Sequence, residues 1–318
     1  MSRTYDVLCI GRSSIDLYSN DVGAPFEEIT SFAALVGGCP ANISVGTRRL
    51  GLKSALITGV GQDQVGDFII AFLDREGVET RFIAHKPGRR TSAVLLGIQP
   101  PDTFPLTFYR DNNADIELTI DDVLAAPIAD SRLLLISGTG RSQDPSRSAT
   151  LCAAETAAVH ETEVVLDIDY RPTLWHDPRA FGVTVRAALP LVDIAIGTED
   201  EIKAATGAVT GEAGVARLLA SVRKAVVYKL GDHGARAYNK AGGVYEAAPF
   251  RIEVLNTLGA GDAFASGFLY GYLKGWGWQK SARMGNATGA IVVTRQGCAN
   301  SMPTLADALA FVEAKGGF

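Results

Sequence analysis

Asn256-Thr-Leu-Gly259-Ala260-Gly261-Asp262-Ala-Phe-Ala-Ser-Gly267-Phe-Leu-Tyr-Gly271 is the stretch on which the reading of this chain turns. Small residues at 259–261 let the backbone turn tightly into a helix. Phe264, Phe268, Leu269 and Tyr272 give that helix an apolar stripe. A glycine-rich helix start aims free N–H groups and the positive end of the dipole outward, which suits an anion. Asp262 in the first turn has two readings. It is a favourable N-terminal carboxylate, or it is a base that takes a proton from a substrate hydroxyl while the turn holds the charge of a transferring phosphoryl group.

Upstream, Gly37-Gly38-Cys39-Pro40-Ala41-Asn42-Ile43-Ser44 leads into a helix ending near Gly51. Paired glycines allow a ligand to approach the backbone, and Asn42 offers a donor and an acceptor to hydroxyls. An ordinary loop with a helix-start proline is the competing reading. Between the two segments, short apolar runs alternate with amphipathic stretches. Strands are predicted at 5–10, 54–59, 133–137, 164–168, 192–196 and 225–229, and helices at 64–76, 145–160, 177–189 and 199–206. Such alternation predicts an α/β fold with a mostly parallel sheet and helices on both faces. Residues 12–35 and 88–115 break the pattern. The second holds two strand-like runs, 91–98 and 106–109, around a segment, Gln99-Pro-Pro-Asp-Thr-Phe-Pro105, too proline-dense for a helix. Both excursions are expected to form a small β-layer over one edge of a single domain.

The chain has 318 residues, 30 Lys+Arg against 35 Asp+Glu and a formal charge of −5, with 47% hydrophobic residues. That composition excludes disorder, and no apolar run approaches a membrane span. The acidic balance gives no field to attract a nucleic-acid backbone. The start, Met1-Ser-Arg-Thr-Tyr-Asp-Val-Leu, has no separate basic region or cleavage site and reads as a first strand. Cys9, Cys39, Cys152 and Cys298 share no CxxC spacing, and the four histidines form no HExxH, so zinc and disulfide frameworks are not expected. The cytosol is the expected compartment. Gly59-Val-Gly61 and Gly138-Thr-Gly140 lack the third glycine of a dinucleotide loop, and Leu52 intrudes in the Walker-like run ending at Lys53-Ser54.

Taken together, Gly37-Gly38-x-x-x-Asn42 with Ser44, Gly51 and Gly61, and Asn256-Thr-x-Gly-Ala-Gly-Asp262, resemble the two signatures of the ribokinase-like (PfkB) sugar kinases. The resemblance implies a three-layer α/β/α sandwich with a small β-lid, and ATP- and Mg2+-dependent phosphorylation of a sugar hydroxyl. It makes Asp262 the catalytic base and the backbone of Gly259, Ala260 and Gly261 the anion hole. Asp16, Gly38 and Asn42 are implied for the sugar hydroxyls. Lys229, Gly231, Gly234 and Asn286 are implied near the nucleotide, and Glu199 of Ile196-Gly-Thr-Glu199 as an organiser of magnesium. A homodimer through the lid follows by analogy. The chain departs from the wider family twice. Ile196 replaces an asparagine, and Asn256 replaces an aspartate, which weakens a monovalent-cation (K+) site there.

Arginine placement narrows the substrate. Arg12 follows the first strand, Arg110 ends the lid-like region and Arg171 follows a core strand. A guanidinium fork matches a carboxylate or phosphate bidentately, although each arginine alone reads equally as solvated or salt-bridged. Gly11-Arg12-Ser-Ser-Ile-Asp16-Leu-Tyr18, Phe108-Tyr109-Arg110-Asp-Asn-Asn-Ala-Asp115 and Asp167-Ile-Asp169-Tyr170-Arg171-Pro are similar to stretches of the kinases of keto-deoxy sugar acids. The similarity extends to 2-keto-3-deoxygluconate kinases and, more closely, to the 5-dehydro-2-deoxygluconokinase subgroup of inositol catabolism, which shares both departures. A kinase for a different sugar, or a non-catalytic nucleotide-binding regulator on the same fold, is the alternative.

Overall fold

The computed structural model describes residues 3–100 and 103–318. Met1, Ser2, Pro101 and Asp102 lie outside the described residues, and with them part of the N-terminal and proline-dense readings. Strands and helices are numbered along the chain. The central sheet holds β1 (Tyr5–Ile10), β4 (Ser54–Gly61), β5 (Ile83–Lys86), β8 (Ser131–Ser137), β9 (Glu163–Asp167), β10 (Ile194–Thr198), β11 (Ala225–Lys229), β12 (Ala235–Asn239) and β13 (Val244–Ala247). Its order is β13-β12-β11-β10-β9-β8-β1-β4-β5, parallel except for β12 and β13. A second sheet, ordered β3-β2-β6-β7, is built from β2 (Ser14–Ser19), β3 (Phe32–Gly37), β6 (Ser92–Leu96) and β7 (Leu106–Tyr109).

Period-two alternation explains the layers. Val7 and Cys9 point to one face of the sheet. There they pack on α1 (Cys39–Arg49), α2 (Gln64–Arg75), α8 (Ala260–Leu273), α9 (Trp278–Val292) and α10 (Leu305–Ala314). Leu8 and Ile10 point to the other, against α3 (Ile120–Leu124), α4 (Ser146–Val159), α5 (Pro178–Ala188), α6 (Glu199–Thr206) and α7 (Gly211–Ser221). Both strand faces are therefore buried, which is why the strands read as continuous apolar runs rather than alternating ones.

Two excursions from the sandwich, 12–37 and 90–110, supply the small sheet. The first contains strands despite its polar composition, because β2 pairs on both sides, with β3 and with the distant β6. The hairpin β12–β13 was not expected from the sequence. The strand expected at 192–196 begins two residues later, because a 3-10 turn over Leu189–Leu191 uses Val192 as its C-cap. Among the described residues no helix is long and apolar enough to cross a membrane.

The chain runs from β1 to β4 on one side and later to β8 on the other, so β1 marks a topological switch. Open α/β sheets bind ligands beyond the carboxyl ends of the strands at such a switch. Over that edge α1 crosses α8 closely: a Cβ on Gly46 would sit 2.3 Å from Ser266 Oγ and 2.7 Å from its Cβ. Gly46→Ala is therefore expected to cost about 1–3 kcal/mol in urea unfolding by overpacking. Turnover should fall with it, since this approach brings Asn42 to Asp262.

Candidate active site

Five strand and helix ends converge at the switch. The loop after β1 carries Arg12, β2 carries Asp16, α1 begins with Gly38, Cys39 and Asn42, the segment after β9 carries Asp169 and Arg171, and α8 begins at Gly259 and Asp262. These residues line one pocket, roofed by Val94, Leu96, Leu106 and Phe108 of the small sheet. The glycine pair has a reason beyond ligand approach. A Cβ on Gly37 would fall 1.9 Å from Asp16 Oδ2, and one on Gly38, at φ +102°, would fall 2.4 Å from the Arg12 carbonyl. The two glycines thus seat the Arg12–Asp16 turn.

Asp262 is buried and accepts a 2.7 Å hydrogen bond from Asn42 Nδ2. Burial, reinforced by the negative charge of Asp169, pushes its carboxyl up to about 6, against the Asn42 bond and the Arg171 charge that lower it. Gly259, in the left-handed region at φ +80°, is the N-cap of α8. Among the described residues the Gly261 and Asp262 amides find no acceptor in the protein. They are the open donors that a helix start supplies to an anion. Lys229 Nζ lies against this turn, 3.1 Å from where a Gly261 Cβ would be.

Lys229 is held between Asp167 at 3.7 Å and Glu201 at 3.5 Å. Burial alone would lower the lysine; the two carboxylates outweigh it and hold the ammonium charged. Asp167 is raised as well, which for a carboxyl favours the neutral form. Burial raises its carboxyl, Lys229 opposes, and Glu201, Asp262 and Asp169 add to the rise. Its Oδ2 is buried without a hydrogen-bond partner, and Cys39 Sγ, an Asp167 oxygen and an Asp262 oxygen lie within 4.8 Å of one another. An unpartnered buried carboxylate oxygen beside a second carboxylate suits a hard cation such as Mg2+.

The other expected residues divide. Glu199 stands half-exposed in the first turn of α6, paired with Lys203 at 2.8 Å, whereas Glu201 faces Lys229. Sequence reasoning passed over Glu201 because it completes a capping box with Thr198, and it passed over Asp167 because it ends a buried strand. Arg110 is buried in an ion pair with Asp115 and donates to Ser142 Oγ at 2.8 Å. It lines a neighbouring hollow with Gln143 and Leu174 rather than this pocket. Arg12 donates to Ser14 Oγ at 2.8 Å and lies over the Phe108 ring, with its buried Nε unpartnered. Ser14 in turn donates to Asp16 at 2.7 Å.

Gly231 and Gly234 form the β11–β12 turn. A Cβ on Gly234 would strike the Ala247 carbonyl at 2.2 Å, the same carbonyl that Asn286 Nδ2 reaches at 3.0 Å, so these residues meet at the end of β13. Asn256 is fully buried. Its Oδ1 accepts from the Leu258 N–H, and its Nδ2 has no acceptor. A monovalent cation there would face an amide donor in place of an oxygen, so this side chain does not fit K+.

A carboxylate poised at an open helix start, with a lysine and two further carboxylates beside it, defines a phosphotransferase for a small hydroxylated molecule. The pfkB family carbohydrate kinase model matches residues 4–305. The chain is 37% identical over 308 residues to a 5-dehydro-2-deoxygluconokinase of Bacillus licheniformis, covering 96% of this chain and 95% of that one. It is 35% identical over 316 residues to the Bacillus subtilis protein of the same name, covering 98% and 97%. An E. coli structure provisionally assigned as ribokinase II, holding ATP and Mg2+, superposes with a TM-score of 0.90 at 23% identity and covers 98% of this chain and 99% of its own. This protein belongs to the pfkB family of carbohydrate kinases.

Proposed function

We propose that this kinase transfers the γ-phosphoryl group of ATP to the C6 hydroxyl of 5-dehydro-2-deoxygluconate, a step of inositol catabolism in the cytoplasm. The observation that carries the reading is one pocket in which a carboxylate base shares space with two guanidinium groups, Arg12 and Arg171, that keep N–H donors unpaired. A neutral sugar leaves such donors unused, while the carboxylate of a sugar acid matches them. The names of the Bacillus relatives point the same way.

In the proposed reaction the C6 oxygen attacks the γ-phosphorus, its proton passes to Asp262, the bond to the β-phosphate oxygen breaks and ADP leaves. Asn42 holds the receiving carboxylate, and Asp16, Gly38 and Asn42 meet the substrate hydroxyls. The turn of Gly259, Ala260 and Gly261, with Lys229 beside it, faces the transferring group. Gly231, Gly234 and Asn286 mark the nucleotide side. Asp167 would hold Mg2+, which when bound neutralises phosphate charge, with Glu201 organising the site through the Lys229 they share. Glu201→Gln is therefore expected to raise the Mg2+ concentration needed for half-maximal rate by roughly tenfold or more. Glu199→Gln should leave the Mg2+ titration where it is, and a shift for Glu199→Gln with none for Glu201→Gln would return the role to Glu199. The small sheet acts as a lid that excludes water from the reaction. A homodimer through its outer face belongs to the same proposal and is read by light scattering.

The test is ADP release with ATP-Mg2+ and, in turn, 5-dehydro-2-deoxygluconate, 2-keto-3-deoxygluconate, fructose and ribose. A kcat/KM preference for the first supports the assignment. Preference for the second moves the substrate to the other keto-deoxy acid. ATP binding with no turnover on any of them points to a regulator.

A further inference from the structure

Asp169 was no part of the expected site, and its setting is unusual. It lies two residues beyond β9 with φ +38°, a left-handed backbone value that side-chain-bearing residues rarely adopt. Such geometry persists when the surroundings over-determine it. Here they do. A Cβ on Gly138 would fall 2.1 Å from the Ile168 carbonyl and 3.1 Å from that of Asp169, so only glycine admits the turn. Thr139 Oγ1 donates to the Asp169 side-chain Oδ2 and contacts its carbonyl at 3.3 Å, and the Asp169 N–H donates to Asp167 Oδ1 at 3.2 Å. The residue is 4% exposed, and its other carboxylate oxygen, Oδ1, accepts from Arg171 Nε at 3.0 Å. Arg171 makes that one hydrogen bond among the described residues. Its side chain stays 40% exposed and lines the pocket with Asp262.

We propose that Asp169 is a positioning residue for the kinase reaction: it grips the Arg171 guanidinium by its Nε edge, so that Nη1 and Nη2 stand free in the sugar pocket as a fixed two-point clamp for the substrate carboxylate. A guanidinium pinned at one edge loses less freedom on binding than a swinging one, and its planar fork keeps one direction of approach. The inference rests on the reading that Arg171 meets the carboxylate. It adds the cause of that arginine's orientation and a purpose for the left-handed turn.

The test is a double-mutant cycle on the full chain, with KM for 5-dehydro-2-deoxygluconate and for ATP measured for Asp169→Ala, Arg171→Ala and the pair. Arg171→Ala is expected to raise the acid KM by roughly 30-fold or more, and Asp169→Ala by roughly tenfold, with the ATP KM within about twofold of the parent. In the Arg171→Ala background the second substitution should add nothing. Asp169→Asn, which keeps an oxygen for Nε, should recover most of the loss and guards against a folding failure of the alanine variant. If the Asp169→Ala penalty persists in full without Arg171, or falls equally on ATP, the positioning role is overturned. If Arg171→Ala itself leaves the acid KM unchanged, the carboxylate reading falls and takes the proposal with it.

Discussion

Asp262→Asn is expected to lower kcat by about 10³-fold or more while ATP still binds, because the variant keeps the shape of the side chain but loses its charge and with it the capacity to accept a proton. Single-turnover rates and nucleotide binding, measured side by side, check it. A kcat within tenfold of the parent would remove Asp262 as the base. The parent enzyme's pH profile carries the same information. The carboxyl is pushed up to about 6 by burial and by Asp169, so the ionised, working form is lost as pH falls through that value. The acid limb of kcat/KM should therefore bend near 6 and not near 4. The sign of the stability effect is opposite to that of most buried carboxylates in ion pairs. A folded-state value above the unfolded one stabilises the native state at low pH, and that contribution is lost as pH rises through about 6. Above it the native fold bears the cost of a charged group in a dry pocket. The neutral amide of the variant carries no such cost, so Asp262→Asn should be at least as stable as the parent at pH 7.

Arg12→Ala is expected to raise the KM for the sugar acid by about 100-fold or more and leave the ATP KM within a few-fold. Two effects combine. The substrate carboxylate loses a guanidinium donor in a buried setting, where truncating one partner of a charge pair costs about 2–5 kcal/mol. Asp16, buried and raised by that burial against the pull of Arg12, also loses the cation that steadies it. Arg12→Lys should recover little, since an ammonium cannot lie over Phe108 as a plane while reaching both Ser14 and the pocket. Inhibition by a neutral sugar of similar size separates the terms: an unchanged Ki with a raised acid KM assigns the loss to the carboxylate.

The parallel core was legible because its strands are apolar on both faces and its helices are periodic. Asp262 and Asn42 were legible because each sits in a spaced motif with a glycine turn. The carboxylates around Lys229 were not. Glu201 is indistinguishable in sequence from a capping-box residue, and its contact with Lys229 joins α6 to β11 across two strand ends. Arg110 had the same appearance as Arg12. Only the fold shows that one is spent on Asp115, five residues away, and the other on the pocket. A β-layer was expected over 12–35, but the bounds of β2 and β3 were not legible, because the β2 partner β6 arrives from a remote excursion and pairing across such distances leaves no local pattern.

The small sheet has a consequence for how such enzymes can be rebuilt. Arg12, Asp16 and the apolar roof over the pocket all ride on two chain segments, 12–37 and 90–110, while the base, the anion turn and the Lys229 cluster belong to the sandwich. Part of the recognition is thus carried on a module of its own, which meets at one seam the sandwich that holds the chemistry together with Asn42 and Arg171. Exchanging the two segments together between relatives would move the Arg12 and Asp16 share of substrate preference as a cassette, with β2–β6 pairing keeping the halves in register. Exchanging either alone would break that pairing and carry nothing across.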